Sequence, residues 1–320
     1  MNARNNEIIV SISCITYNHA PYIRECLDGF MMQQTNFPFE VLIHDDASTD
    51  GTTKIIKEYA AKYPDIIKPL YEEENQWVKG RRGSAVFNFP RAKGKYIALC
   101  EGDDYWTDPL KLQKQVDFLE SHPDYVMCTH GYSEYWEPQN EINEIPRVSS
   151  KEINSETLIH CSWYFFQPLS LVFKNKVFKI DEYCKYVYQR DTVLFYYLLT
   201  KGKGYFFQDA MGIYRRHLNG VWTGKDVVQQ WMDNYSVRLS IYEKELSDEA
   251  GIFLINLFYE NISRFWLIKR FRVILTIFRI MKKHFGYGFA FKCTFGRFLG
   301  LKNPFYNTIK SIENLHLDKM

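Results

Sequence analysis

The chain has 320 residues, 46% of them apolar, and a formal net charge of +2, which suffices for one large globular domain or a domain with an appendage. Its seven cysteines are an odd number at scattered spacings with no Cys-x-x-Cys pair, which argues against a disulfide frame or a zinc cluster and fits reduced, buried thiols. No charged-then-apolar leader opens the chain and no uninterrupted apolar run approaches the ~20 residues that span a bilayer, so the sequence reads as cytoplasmic.

Charge is segregated along the chain. Residues 261–312 hold eleven Lys or Arg and no Asp or Glu, leaving 29 basic against 38 acidic residues elsewhere. That asymmetry points to an acidic body and a basic appendage with different partners.

In the body, "EIIVSISCITYN" is apolar and β-branched enough for a buried strand, and "APYIRECLDGFMMQQ" follows with helical spacing at Tyr22, Cys26 and Phe30. "FEVLIH" predicts a second strand, "DDASTD" a loop, and "GTTKIIKEYAAKY" a helix capped by Asp50. "KYIALC" predicts a third strand after the charged stretch around Glu72 to Glu74. A helix then starts at Pro109 behind Thr107 or Asp108, buries Leu112, Val116 and Leu119, and ends at Pro123.

Strands alternating with helices predict a parallel, Rossmann-like sheet, with ligands collecting beyond the carboxyl ends of the strands. Three polar loops should converge there: "TYNHA", "DDASTD" and "EGDDYW". Each alone is ordinary turn chemistry, but three at equivalent strand ends mark a candidate site. Adjacent Asp103 and Asp104 repel unless a cation, a proton or solvent screens them. No Gly-x-Gly-x-x-Gly follows the first strand and no phosphate-binding P-loop motif occurs, so a phosphate-bearing ligand in this acidic mouth calls for Mg²⁺ or Mn²⁺.

"VSISCITYNHAPYIRECLDGF", "FEVLIHDDASTDGT" and "AKGKYIALCEGDDYWTDPLKLQKQVDFLESHP" resemble the nucleotide-sugar-binding half of the inverting family 2 glycosyltransferases, which have the GT-A fold. The resemblance spans about Ile8 to Asp124. It implies an α/β catalytic domain over residues 1–225, with 1–124 on the donor side and 125–225 on the acceptor side, followed by a helical region over 226–320. It places Asp46, with Asp45 beside it, against the nucleobase, and Thr16 and Asn18 in the same pocket. Asp103 falls to ribose and metal and Asp104 to the metal, although the family's commonest motif is Asp-x-Asp and Gly102 here stands between Glu101 and Asp103. In the second half the resemblance is thinner: "CSWYFFQPLSLVFKNKVF" would lie under the acceptor, and Asp191 in "YVYQRDTVLFYYLL" would be the catalytic base, against the plain alternative of a first-turn helix acid. His217 in "MGIYRRHLNGVWTG" is a candidate metal ligand, and Arg215 or Arg216 a candidate phosphate contact; the plain alternative is a surface loop with Trp222 tucked inward. Arg81, Arg82, Arg91 and Lys93 are weaker phosphate candidates.

The implied reaction is metal-dependent, inverting transfer of a sugar from a nucleoside diphosphate sugar, UDP being the expected nucleotide, to a hydroxyl of a glycan or lipid-linked acceptor. Two other classes stay open: an inactive GT-A-fold scaffold, and a sugar-nucleotide pyrophosphorylase, which would want a glycine-rich loop where "TYNHAPY" has none. In "SRFWLIKRFRVILTIFRIMKKHF", Arg264, Lys269, Arg272, Arg279, Lys282 and Lys283 share one side of a helical wheel. That predicts a basic amphipathic helix on the anionic inner face of the plasma membrane, or else a helix packed on the body. Nucleic acid is not expected as a partner.

Overall fold

The computed structural model describes residues 7–81, 83–144, 149–247 and 249–254, and beyond them 256–257, 275, 278–279, 282–283 and 286–288, the side chains of 160–164 excepted. It divides into two units, residues 1–224 and 225–320.

In chain order the first unit contains β1 (Val10–Thr16), α1 (Ile23–Met31), β2 (Phe39–Asp45), α2 (Thr52–Lys62), β3 (Ile67–Tyr71), α3 (Ser84–Phe87), β4 (Tyr96–Leu99), β5 (Tyr105–Trp106) and α4 (Lys111–Ser121). β6 (Tyr125–Trp136), β7 (Glu141–Glu144), β8 (Lys151–Ile153), α5 (Ser155–Phe165), β9 (Val172–Lys174), α6 (Ile180–Tyr183), α7 (Asp191–Leu199) and β10 (Lys203–Arg216) follow. They build one sheet in the order β3-β2-β1-β4-β9-β6-β10-β5, with β7 on β6 and β8 on β10.

β1 to β4 are parallel, with Ile12 level with Val41 on one side and Ala98 on the other. Val10, Ile12 and Cys14 are fully buried, as expected of a parallel strand covered on both faces. α1 contributes Ile23, Cys26, Leu27 and Phe30 to that core, and α4 contributes Leu112, Val116 and Leu119. β9 runs antiparallel to both β4 and β6, so the second half of the sheet is mixed.

Two sequence expectations need amending. "KYIALC" is the fourth strand of the sheet, because Ile67–Tyr71 forms a strand whose Lys68 and Pro69 break the apolar pattern. Among the described residues it pairs with β2 alone, and such an edge tolerates proline. Asp50 does satisfy the start of α2, accepting from the Thr52 N–H at 3.0 Å and the Thr52 hydroxyl at 2.6 Å, but the residue before the helix is Gly51 at φ 106°, a left-handed conformation.

The second unit contains α8 (Val227–Glu245), opened by a reciprocal cap. Asp226 accepts from the Val228 and Gln229 N–H groups, and the Gln229 side chain accepts from the Asp226 N–H. The predicted basic helix lies outside the described residues apart from Leu275, Phe278, Arg279, Lys282 and Lys283. No helix among the described residues is long and apolar enough to cross a membrane.

Candidate active site

The three loops that follow β1, β2 and β4 are tied to one another. The Asn18 carboxamide accepts from the Thr49 N–H at 2.8 Å, Asn18 N–H donates to the Ser48 hydroxyl at 2.9 Å, and Ala20 N–H donates to Asp50 at 2.9 Å. Gly102 N–H donates to the Ile15 carbonyl at 3.0 Å. Asn18 sits at φ 54°, a left-handed geometry that asparagine tolerates, so its role here is to shape the loop junction.

At this junction Glu101, Asp103 and Asp104 bring carboxylate oxygens within 4.8 Å of one another. The two neighbouring aspartates face different surroundings. Asp104 is 2% exposed and accepts the Arg215 N–H at 2.8 Å. Burial, with Asp103 next in weight, pushes its carboxyl well above the usual range. Asp103 lies 3.2 Å from His217 Nε2 and 3.7 Å from His19 Nε2. Burial works to raise its carboxyl, but the two imidazoles outweigh that and hold it below the usual range. Glu101 is pushed up to about 8 by burial, then by Asp103 and Asp191, with Arg190 opposing. Asp104 is thus no surface-loop residue but a buried tie between the acidic loop and β10.

Arg215 completes that tie. Its guanidinium donates to the Asp103 carbonyl at 2.9 Å, pairs with Glu25, and lies over the Tyr22 and Tyr105 rings at 4.8 and 4.9 Å. At 5% exposed it is committed to the scaffold. Arg216 pairs with Glu134 at 3.2 Å and covers Trp136. Arg91 donates to the carbonyls of Lys68 and Ile43, Arg81 lies over Phe87, and Arg82 lies outside the described residues. Trp222 remains 38% exposed rather than tucked inward. His217 is 2% exposed with its ring 4.6 Å from that of Tyr22.

The nucleotide-side candidates are also engaged. Asp45 accepts from the Ser48 N–H at 3.2 Å and the Thr53 hydroxyl at 2.5 Å. Asp46 accepts from the Gln76 and Trp77 N–H groups at 2.6 and 3.2 Å, fastening the loop after β3. Thr16 is buried with a hydroxyl that has no hydrogen-bond partner.

Asp191 opens α7, its carboxylate accepting its neighbour Thr192's N–H at 2.8 Å. Solvent reaches it, yet the surrounding walls strip enough hydration to raise its carboxyl, an effect the Thr192 N–H and Arg190 only partly offset. Its charge is felt at Glu101, so the helix start lies within electrostatic reach of the acidic loop.

The donor set suits a hard divalent cation: three clustered carboxylates, an imidazole beside one of them, and an Asp103 Oδ1 that is buried with no hydrogen-bond partner. Sequence reasoning passed over Glu101 and His19. The signal for Glu101 was present, since Glu101-Gly102-Asp103 already has the acid-x-acid spacing. His19 lies in the converging loop "TYNHA", and burial holds it below its usual pKa.

Parallel strands of this α/β sheet lead into the clustered carboxylates. Residues 11–171 match the Glycosyl transferase family 2 model, and the chain belongs to that family. It is 40% identical over 214 residues to the uncharacterized protein Rv1520 of Mycobacterium tuberculosis, a match that takes in 67% of this chain and only 60% of the relative's length. It is 28% identical over 194 residues to the Escherichia coli UDP-Glc:alpha-D-GlcNAc-diphosphoundecaprenol beta-1,3-glucosyltransferase WfaP, across 61% of this chain and 71% of WfaP. The fold resembles S. aureus TarS 1–349 in complex with UDP-GlcNAc (TM-score 0.58, 20% identity, 80% of this chain and 73% of TarS 1–349). It also resembles the Pyrobaculum calidifontis mannosyltransferase PcManGT in complex with GDP-Man and Mn²⁺ (TM-score 0.55, 18% identity, 95% and 84%). The architecture is the GT-A fold.

Proposed function

We propose that the chain is a metal-dependent, inverting hexosyltransferase that moves a sugar from a UDP-sugar to a hydroxyl of a lipid-linked acceptor in envelope glycan synthesis. The observation that carries this reading is the Glu101–Asp104 carboxylate cluster with Asp191 within electrostatic reach of it. An inverting displacement needs a base on one side of the anomeric carbon and charge neutralisation at the leaving diphosphate on the other. Residues 1–124 would form the donor side, with Thr16, Asn18, Asp45 and Asp46 shaping the nucleotide pocket, and residues 125–225 the acceptor side.

Asp103, with His217 and a second carboxylate from Glu101 or Asp104, would hold Mn²⁺ or Mg²⁺. The cation would neutralise the charge that grows on the departing diphosphate. Asp103 is the better first ligand, because the Arg215 N–H occupies one oxygen of Asp104. Asp191 takes the proton from the acceptor hydroxyl as that oxygen attacks, and its raised carboxyl suits a base working near neutrality. One displacement inverts the anomeric centre, so no enzyme nucleophile is needed.

The acceptor class rests on two supports. WfaP is named for a sugar carried on diphosphoundecaprenol, and the eleven basic residues of 261–312 suit an anionic membrane surface where such acceptors reside. The test is a panel of UDP- and GDP-sugars with Mn²⁺, scored by nucleoside diphosphate release. One UDP-sugar should turn over, and Asp103→Asn should abolish the Mn²⁺ dependence of UDP binding. Turnover unchanged by chelation or by that substitution would refute the metal reading.

A further inference from the structure

Lys111 and Gln115 of α4 and His130 of β6 have no part in the scheme above, and each is 0% exposed. The two elements are joined by residues 122–124 alone, so β6 runs back along α4. Gln115 is level with Cys128, its Nε2 donating to the Cys128 carbonyl at 3.3 Å and to the Ser170 carbonyl at 2.9 Å. One turn towards the start of α4 moves along the helix by roughly 6 Å. Two residues further along β6 move the same way by about 7 Å and return to the same face of the strand. Lys111 therefore stands against His130 as Gln115 stands against Cys128. In keeping with that, the Lys111 charge, behind burial, holds the His130 imidazole well below its ordinary value.

Each of the three has one buried polar atom with no hydrogen-bond partner: Lys111 Nζ, Gln115 Oε1 and His130 Nε2. The contacts of their other atoms fix what these atoms can do. The Gln115 nitrogen is the end that meets two carbonyls, so its Oε1 is an acceptor. His130 Nδ1 is 2.6 Å from the Gly131 carbonyl, which can only accept, so the proton is on Nδ1 and Nε2 of the neutral ring is an acceptor. Lys111 Nζ, with the Trp106 ring centre 3.8 Å away on one side, is a donor whether charged or neutral. One donor and two acceptors thus occupy facing positions of α4 and β6, and buried polar groups are rarely left unpaired because the desolvation penalty is then uncompensated.

We propose that Lys111, Gln115 and His130 form an internal water site, in which one water accepts from Lys111 Nζ and donates to Gln115 Oε1 and His130 Nε2. The donor and acceptor set selects the ligand. A halide could accept from the lysine but has no proton for the two acceptors, and a metal cation would meet the hydrogens of the lysine. Water makes all three bonds from one oxygen, the usual number for a buried water. Trp106, which covers Lys111, follows the acidic loop and pairs with Gly212 of β10, so the water braces α4 against β6 beside the strand that leaves that loop. The site is independent of the reaction proposed above.

Crystals of the wild-type chain are measured at high resolution with and without a bromide soak. Long-lived internal waters are counted in solution by magnetic relaxation dispersion for wild type and for the double variant Lys111→Met and His130→Phe, which leaves such a water a single bond. The unsoaked crystal should show one oxygen within about 2.7–3.2 Å of all three atoms. The soak should put no anomalous peak there, and the double variant should lose one long-lived water. A bromide peak would make this an anion site and overturn the assignment. A direct hydrogen bond from Lys111 to Gln115 or His130, with no water between them, would overturn it as well, and so would an unchanged water count in the double variant. Should that variant not fold, the wild-type crystals decide the matter by themselves, because a site with no oxygen bridging the three atoms refutes it.

Discussion

Gly102→Ala isolates the packing of the acidic loop from its chemistry. Gly102 is outside the left-handed backbone region, so alanine adds a methyl group without backbone strain. That methyl would lie 2.7 Å from Thr16 Oγ1, 2.8 Å from Thr16 Cβ and 3.0 Å from His19 Nδ1. Thr16 cannot yield, because it is 3% exposed and β1 is hydrogen-bonded on both sides. The loop carrying Glu101, Asp103 and Asp104 must move instead. Overpacking of this kind costs about 1–3 kcal/mol, which for a unit of this size lowers Tm by roughly 2–4 °C per kcal/mol. A loop displaced by about 1 Å loses up to ~10² in rate, so turnover should fall further than stability. Circular-dichroism melts and nucleoside diphosphate release, measured on one preparation, give both numbers. Wild-type Tm together with wild-type turnover would show that the three loops are not packed as described.

Asp191→Asn should keep UDP and Mn²⁺ affinity while transfer falls by ~10²–10⁴; equal losses of affinity and rate would make it a structural residue. Lys111 is fully buried, its ammonium has no hydrogen-bond partner and lies 3.8 Å from the Trp106 ring centre, and burial pushes it down to about 7. Below that pH the folded and unfolded chains both hold the proton and the burial cost is fully present. Between about 7 and the ordinary lysine value only the unfolded chain stays protonated, so wild-type stability gains on the order of a few kcal/mol as pH rises. Lys111→Met should accordingly melt higher than wild type at pH 6, with the gap closing towards pH 10; parallel melting curves across that range would contradict the assignment. Full-length protein should co-sediment with anionic vesicles at low salt, gaining roughly 1 kcal/mol per Lys or Arg near the surface, and should lose that binding in high salt or without residues 261–320. Indifference to anionic vesicles would favour a soluble acceptor.

The elements legible in the sequence are those with a single apolar demand. β1, β2 and β4 are short, largely apolar runs because both faces of the sheet are covered there, and α1, α2 and α4 show one apolar side because they cover it. The mixed half hides its pattern. α7 is buried along Val193 to Leu199, so it shows no helical stripe, and β10 changes register against β6 around Phe207 and Ala210, which breaks strand alternation. β3 was lost to Lys68 and Pro69 at the sheet edge.

The acidic pair shows why a site is harder to read than a fold. In sequence Asp103 and Asp104 are equivalent neighbours, and a shared cation is a sufficient reason for their adjacency. In the structure they are different groups before any ion arrives. Asp104 is turned to a backbone N–H supplied by Arg215, 111 residues later, and burial favours its neutral form. Asp103 is turned to His217 and His19, which favour its charged form. Separating the two protonation preferences relieves the repulsion that adjacency creates, and it leaves one carboxylate ionised and one holding the loop to β10. That division depends on partners from β10 and from the loop after β1, so no local motif could have assigned it.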